Sequence, residues 1–245
     1  RVSHHHVHAD YMDADGLARL GNLCSAVTAE FENVPAAALT LLAAFCPVAP
    51  AAAAVAIAQD RAAEKAHFVG CGVPCAPYAV IDTAEQLAAV ADDLLPGILK
   101  TTRMGYDGKG QVRVSTRAAL AAAWAELHSV PCVLEKMLPL AAECSVIVAR
   151  GRDGQMVHFP PQRNLHRDGI LAVTEVDASN MPPALAEQAV AAAKSIASGL
   201  QYVGVLCVEF FVLDDGSLVV DEIAPRPHHS GHYTIVACAA SPLDP

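Results

Sequence analysis

Two glutamates late in the chain stand where a cation is needed to hold them. Residues 205–223 read as two apolar strands around Asp215-Gly216, a dipeptide that favours a two-residue hairpin turn. With that turn Asp214 pairs with Ser217, and counting back along both strands sets Glu209 directly opposite Glu222. Their Cβ atoms are then roughly 4.5–5.5 Å apart on one face, a spacing at which like charges destabilise unless a cation sits between them. Carboxylate oxygens suit a hard ion such as Mg²⁺, which keeps several waters and bridges to substrate phosphates. Two solvated glutamates, or a pair sharing a proton, are the alternatives. The apolar residues Val208, Phe210, Phe211, Val219 and Val220 lie on both faces, the pattern of buried strands, and favour the metal.

A second stretch runs from Lys100 to Gln111. Gly105, Gly108 and Gly110 fall within six residues after a strand, where backbone amides can meet phosphate oxygens, and Lys100 puts a cation at the strand's end. A glycine-rich hairpin turn without a ligand is the plainer reading. The loop joins two strands rather than opening a helix, so neither the Walker A motif nor the dinucleotide fingerprint applies.

These residues need a scaffold, and the element signals alternate. Residues 25–31 read as a strand, Pro35 opens a helix that Pro47 closes, and Pro50 opens another running to about Phe68 before Gly70 and Gly72. That rhythm is one of a parallel α/β layer. Strands are expected at 78–81, 97–101, 111–114, 133–137 and 145–149, and helices after Asp82, from 116 to 127, and from 183 to 200. Asp82 with Glu85 resembles a capping box, and Asp153-Gly154 a turn.

Composition sets the outer bounds. With 245 residues, 53% of them hydrophobic, the chain can build a sizeable core, and its apolar runs are broken before membrane-spanning length. A soluble globular protein without an export signal is expected. The net charge of −10 argues against a nonspecific nucleic-acid binder. The eight cysteines are scattered, mostly in apolar runs, and read as reduced core residues; Cys71 and Cys75 lack a second pair at zinc spacing. His4, His5, His6 and His8 form a metal-binding tract, a tag remnant or, the blandest reading, a solvated terminal segment.

The glycine loop, the segment Glu135-Lys136-Met137-Leu138 with Glu143 after it, and the run from Asp221 to Thr234 containing Arg226-Pro227-His228-His229-Ser230-Gly231-His232 together resemble the N5-carboxyaminoimidazole ribonucleotide synthetase family, the ATPase subunit of phosphoribosylaminoimidazole carboxylase, within the ATP-grasp superfamily. Glu30-Phe31-Glu32-Asn33-Val34 and Gln59-Asp60-Arg61 match it in order and spacing. The resemblance implies an α/β and α+β ATP-grasp fold: a partial Rossmann-like pre-ATP-grasp domain over residues 1–54, a small lobe over 55–134 and a large lobe over 135–245, with the family's C-terminal domain absent. It implies ATP and Mg²⁺ or Mn²⁺ as cofactors, with no biotin.

Position by position, it implies that Arg61 and Lys100 contact ATP phosphates and that Gly105, Tyr106, Asp107, Gly108, Lys109, Gly110 and Gln111 form the loop over them. Glu135, Lys136, Met137 and Leu138 become the adenine hinge, Glu143 binds ribose, His166 lies near the nucleotide, and Asp221 touches it beside Glu222. Glu209 and Glu222 ligate the metal. Tyr106, Asp107, Lys109, Arg226, His228, His229 and Ser230, with Glu32, surround aminoimidazole ribonucleotide and bicarbonate. His228 could bind phosphate, orient substrate or move a proton.

Asp221 and His229 stand where the family usually has Asn, which adds charge beside the metal and changes the shape of a donor. Family members begin with a strand and glycine-rich turn and continue into a C-terminal domain, so the chain as given is expected to be inactive or unstable. A cytoplasmic homodimer passing its product to a mutase is the implied setting, without nucleic acid or membrane. Another ATP-grasp carboxylate-amine ligase, formate-using or biotin-carboxylase-like, and a non-catalytic nucleotide-binding remnant remain as alternatives.

Overall fold

A computed structural model of the chain describes residues 3–105, 110–167, 170–177, 179 and 181–239. Its N-terminal part is helical: α1 (Ala14–Leu23), α2 (Ala36–Leu42), α3 (Ala52–Ala58) and α4 (Arg61–Gly70). The single helix expected after Pro50 divides at Gln59-Asp60. The Asp60 carboxylate accepts the amides of Ala62 and Ala63, and so starts α4 as a new helix. Residues 25–31 do not form the expected strand. Only Val27 pairs, in an isolated parallel bridge to Val48, because Pro47 and Ala49 supply one carbonyl and one amide and the ladder goes no further. The parallel layer anticipated from the element rhythm is absent among the described residues, where both sheets are antiparallel.

The smaller sheet joins β1 (Tyr78–Ile81), β2 (Gly97–Thr101), β3 (Gln111–Val114) and β4 (Cys132–Lys136) in the order β1-β4-β2-β3. Helices α5 (Ala84–Ala89) and α6 (Arg117–Glu126) cover it around a core that includes Ile81, Leu99, Leu120 and Leu134. The capping box of α5 uses Thr83 and Gln86 rather than Asp82 and Glu85. A hydroxyl one position later caps Gln86, which returns its amide oxygen to the cap backbone.

The larger sheet comprises β5 (Leu140–Arg150), β6 (Met156–His158), β7 (Gln162–Arg167), β8 (Ile170–Glu175), β9 (Gly204–Leu213) and β10 (Leu218–Ala224), ordered β10-β9-β5-β7-β8 with β6 on β5. Helix α7 (Pro183–Gly199) packs on it, burying Ala189, Ala193 and Ile196 against Val146, Val208 and Phe210. Ala54, Phe68 and Val73 share this core, so α3 and α4 contribute to it. A short α8 (Thr234–Ala237) ends the described chain. No helix among the described residues is long and apolar enough to cross a membrane.

The β9–β10 hairpin departs from its expected turn. Leu213 donates to the Ser217 carbonyl at 2.9 Å and Gly216 takes φ +81°, so the loop has three residues, 214–216. Val212 pairs with Leu218 and Phe210 with Val220, one step from the register counted above; beyond a bulge, Val208 pairs with Ile223 and Cys207 with Ala224. Glu209 therefore faces a bulge holding both Asp221 and Glu222, two acids against one.

Candidate functional site

Residues 137–139 carry the chain from β4 in one sheet to β5 in the other, tied by the Met137 amide to the Pro96 carbonyl and the Asp214 amide to the Pro139 carbonyl. Between the sheets lies a cleft of about 550 Å³. Its wall includes Arg61, Lys100, Glu143, Glu209, Glu222 and Arg226.

Helix α4 presents Arg61, Glu64 and Lys65 at helical spacing on one face. Arg61 Nη1 is 3.3 Å from Glu222 Oε2, and its Nη2 donates to the Gly105 carbonyl. The Glu64 carboxylate accepts the Ile223 amide at 2.8 Å, fixing the strand just after the bulge. Lys65 Nζ lies 3.2 Å from Glu135 Oε1, an ion pair not aligned as a hydrogen bond, while Lys100 Nζ donates to Glu135 Oε2 at 3.0 Å. Lys100 also reaches Asp221 Oδ1 at 3.8 Å. Glu64 and Lys65 escaped the reading of the sequence, although positions three and four beyond Arg61 on a helix pointed to them.

The electrostatics follow burial and neighbours. Burial pushes the Glu209 carboxyl well above its usual range, and Glu222, Asp221 and Glu143 push it further. Its Oε1 is buried with no hydrogen-bond partner among the described residues. Burial also raises Glu64, with Glu222 adding to it. Burial would raise Glu135 as well, but Lys100 and Lys65 hold it below its ordinary value. Asp221 is raised by burial against the pull of Lys100. A buried, unpartnered carboxylate oxygen facing two further acids fits a hard divalent cation, in which all-oxygen donors are preferred. The donor set thus fits Mg²⁺.

The expected substrate residues gather in the same cleft, next to Glu209. Arg226 clasps Glu32 Oε2 through Nε at 2.9 Å and Nη2 at 2.7 Å, across most of the chain's length. His228 stacks on His229 with ring centres 5.9 Å apart, and Ser230 is fully buried with its Oγ 3.0 Å from His228 Nδ1. Burial, with Arg226 next, lowers the His228 imidazole to about 4. Glu143 and His166 Nδ1 are directly paired on neighbouring strands. Gly110 takes φ +70°, and a Cβ there would meet Thr101 Oγ1 at 2.7 Å. Gln111 pairs with Lys100 across β2 and β3. Tyr106, Asp107, Gly108 and Lys109 lie outside the described residues.

Beneath the cleft runs a polar chain that no sequence signal had singled out. Asn164 donates to Ser145 Oγ, Ser145 to Gln162 Oε1, and Gln162 to the Tyr233 hydroxyl. The inward positions of β7 are polar, so its alternation carried no apolar signal. The cysteines are all free, but only Cys132, Cys144 and Cys207 are buried; Cys238 is exposed and the rest half-buried near helix and loop ends. His4, His5, His6 and His8 are exposed.

Comparison with known proteins fits this geometry. The chain matches the ribonucleotide synthetase preATP-grasp domain over residues 1–59 and the ATP-grasp domain over 66–243. It is 42% identical, over its whole length, to the N5-carboxyaminoimidazole ribonucleotide synthase of Brucella melitensis. It resembles the solved N5-carboxyaminoimidazole synthetase of Staphylococcus aureus complexed with ADP at TM-score 0.91 and 35% identity over 98% of the chain. The Aspergillus clavatus enzyme in complex with ADP and 5-aminoimidazole ribonucleotide matches at TM-score 0.88 and 30% identity, also over 98%. The chain spans 68%, 64% and 63% of the lengths of those three proteins. The carboxylate bulge, the paired cations and the arginine-histidine turn therefore sit in an ATP-grasp chain that belongs to the N5-carboxyaminoimidazole ribonucleotide synthase family.

Proposed function

We propose that the protein uses ATP and bicarbonate to carboxylate 5-aminoimidazole ribonucleotide to N5-carboxyaminoimidazole ribonucleotide, releasing ADP and phosphate. The observation that carries this reading is the bulge setting Asp221 and Glu222 against the unpartnered Glu209 oxygen, beside Lys100 and Arg61. Glu209 and Glu222 would hold Mg²⁺, or Mn²⁺, which supplies charge neutralisation for the transferred phosphoryl group. Lys100 and Arg61 face the same charge from the protein side. A bicarbonate oxygen attacks the γ-phosphorus and ADP leaves, giving carboxyphosphate. The substrate amine then attacks the carboxyl carbon, the C–O bond to phosphate breaks, and the amine loses a proton. Arg226 offers a planar pair of donors for an anionic oxygen. His228, neutral at physiological pH, orients substrate or accepts that proton rather than acting as a fixed cation.

Residues 135–138 act as the hinge that holds adenine, Glu143 binds ribose and His166 lies near the nucleotide; Tyr106, Asp107 and Lys109, outside the described residues, remain assigned to ATP and substrate by the family resemblance alone. Cytoplasmic location, a homodimer and hand-off of the product to a mutase complete the proposal, as the family resemblance implies. The test is ADP release with bicarbonate, with and without aminoimidazole ribonucleotide, on the chain extended to the length of its relatives. Release stimulated by the ribonucleotide is expected. No stimulation overturns the assignment, and stimulation by formate instead moves the protein to another ligase class.

A further inference from the structure

The strand that carries Glu209 carries another donor two residues earlier, and residues two apart on a strand share a face. Cys207 Sγ, a Glu209 carboxylate oxygen and a His228 ring nitrogen all lie within 4.8 Å of one another. His228 Nε2 is 3.9 Å from Glu209 Oε1, the buried oxygen with no hydrogen-bond partner. Thiol, imidazole and carboxylate are the donors of zinc-type sites, whereas Mg²⁺ takes oxygen. Three protein donors also leave the fourth tetrahedral position open to water or a phosphate oxygen.

Ser230 supports the imidazole from behind. Its Oγ lies 3.0 Å from His228 Nδ1 and 3.7 Å from Cys207 Sγ. A metal on Nε2 leaves the proton on Nδ1, where Ser230 Oγ accepts it, the outer contact that metal-bound imidazoles use. The longer contact from the Ser230 amide, 3.3 Å, gives way.

We propose that Cys207, Glu209 and His228 form a binding site for a thiophilic divalent cation, Zn²⁺, adjoining the all-oxygen site and sharing Glu209 with it. The thiol releases its proton to solvent as the sulfur–metal bond forms. Sharing Glu209 makes Zn²⁺ a competitor of Mg²⁺; that competition, though not the site, rests on the function proposed above.

Co²⁺ titration of the chain without nucleotide or Mg²⁺ reads the site directly. One equivalent is expected to produce a thiolate-to-cobalt charge-transfer band that Zn²⁺ abolishes. Cys207→Ala and Cys207→Ser should each lose the band while circular dichroism stays unchanged, and Ser230→Ala should weaken Co²⁺ binding by roughly 10-fold or more. Cobalt on the N-terminal histidines gives no thiolate band. Cys71, whose sulfur lies 3.4 Å from His67 Nε2, is a second thiol beside an imidazole, and Cys71→Ala should keep the band. No band in the unaltered chain, or a band that survives Cys207→Ala, overturns the proposal. A chain that fails to bind Mg-ATP leaves this readout untouched, so the two ideas fail separately.

Discussion

Glu209 has one buried oxygen without a hydrogen bond among the described residues while three acids raise its proton affinity, and a side chain in that position changes state when a cation arrives. Glu209→Gln is expected to cut Mg²⁺-dependent ADP formation in the extended chain by more than the roughly 10- to 100-fold that outer-shell changes cost. Nucleotide binding by equilibrium dialysis should remain measurable; unchanged turnover removes Glu209 from the metal site. His228 makes a different prediction. Buried beside Arg226, its imidazole titrates at about 4 in the folded chain against 6.5 when unfolded. Between those values the unfolded chain binds a proton that the folded chain refuses. Its contribution is therefore complete above pH 6.5 and is lost as pH falls toward 4, by on the order of 3 kcal/mol. Urea midpoints measured across this window should fall more steeply in the natural chain than in His228→Gln.

At the scale of elements, α4 organises much of the described site, through Arg61, Glu64 and Lys65. Glu64 holds the Ile223 amide, so Glu64→Ala should leave that buried donor bare and cost about 1–3 kcal/mol by urea denaturation, whereas Glu64→Gln keeps an acceptor and most of the stability. Equal losses in the two variants would show that the carboxamide cannot take over the contact. Elements with strong local signals were legible in the sequence: β2 and β3 at their observed bounds, α7 to within a residue, and α2 behind Pro35. What escaped depended on partners far along the chain. Residues 25–31 have a strand's composition but find a single bridge, and β7 turns polar side chains inward because Ser145 and Tyr233 are there to meet them. The glutamates were found by a turn count that was itself one residue out. The bulge after Val220 restored the register near Glu209 and added Asp221 to the same place, which turn chemistry alone does not reveal.

Across the whole molecule, the buried Lys65–Glu135–Lys100 cluster joins α4 to two strands of the smaller sheet, while Arg61 and Glu64 on the same helix reach β10 in the larger one. Lys65→Met removes one partner of a buried acid and should cost about 3–5 kcal/mol, seen as a lower urea midpoint; a loss under about 1 kcal/mol means that Lys100 alone satisfies Glu135. The contacts of Lys100 with Asp221 and of Arg61 with Glu222 carry a further consequence. With its cations already facing resident acids, the cleft would admit a polyphosphate by ion exchange: each phosphate oxygen that took a cation would free a carboxylate, and the freed carboxylates would need a counter-ion at once. On the function proposed above, metal and nucleotide would then be heterotropic partners, each raising the other's affinity by the same factor.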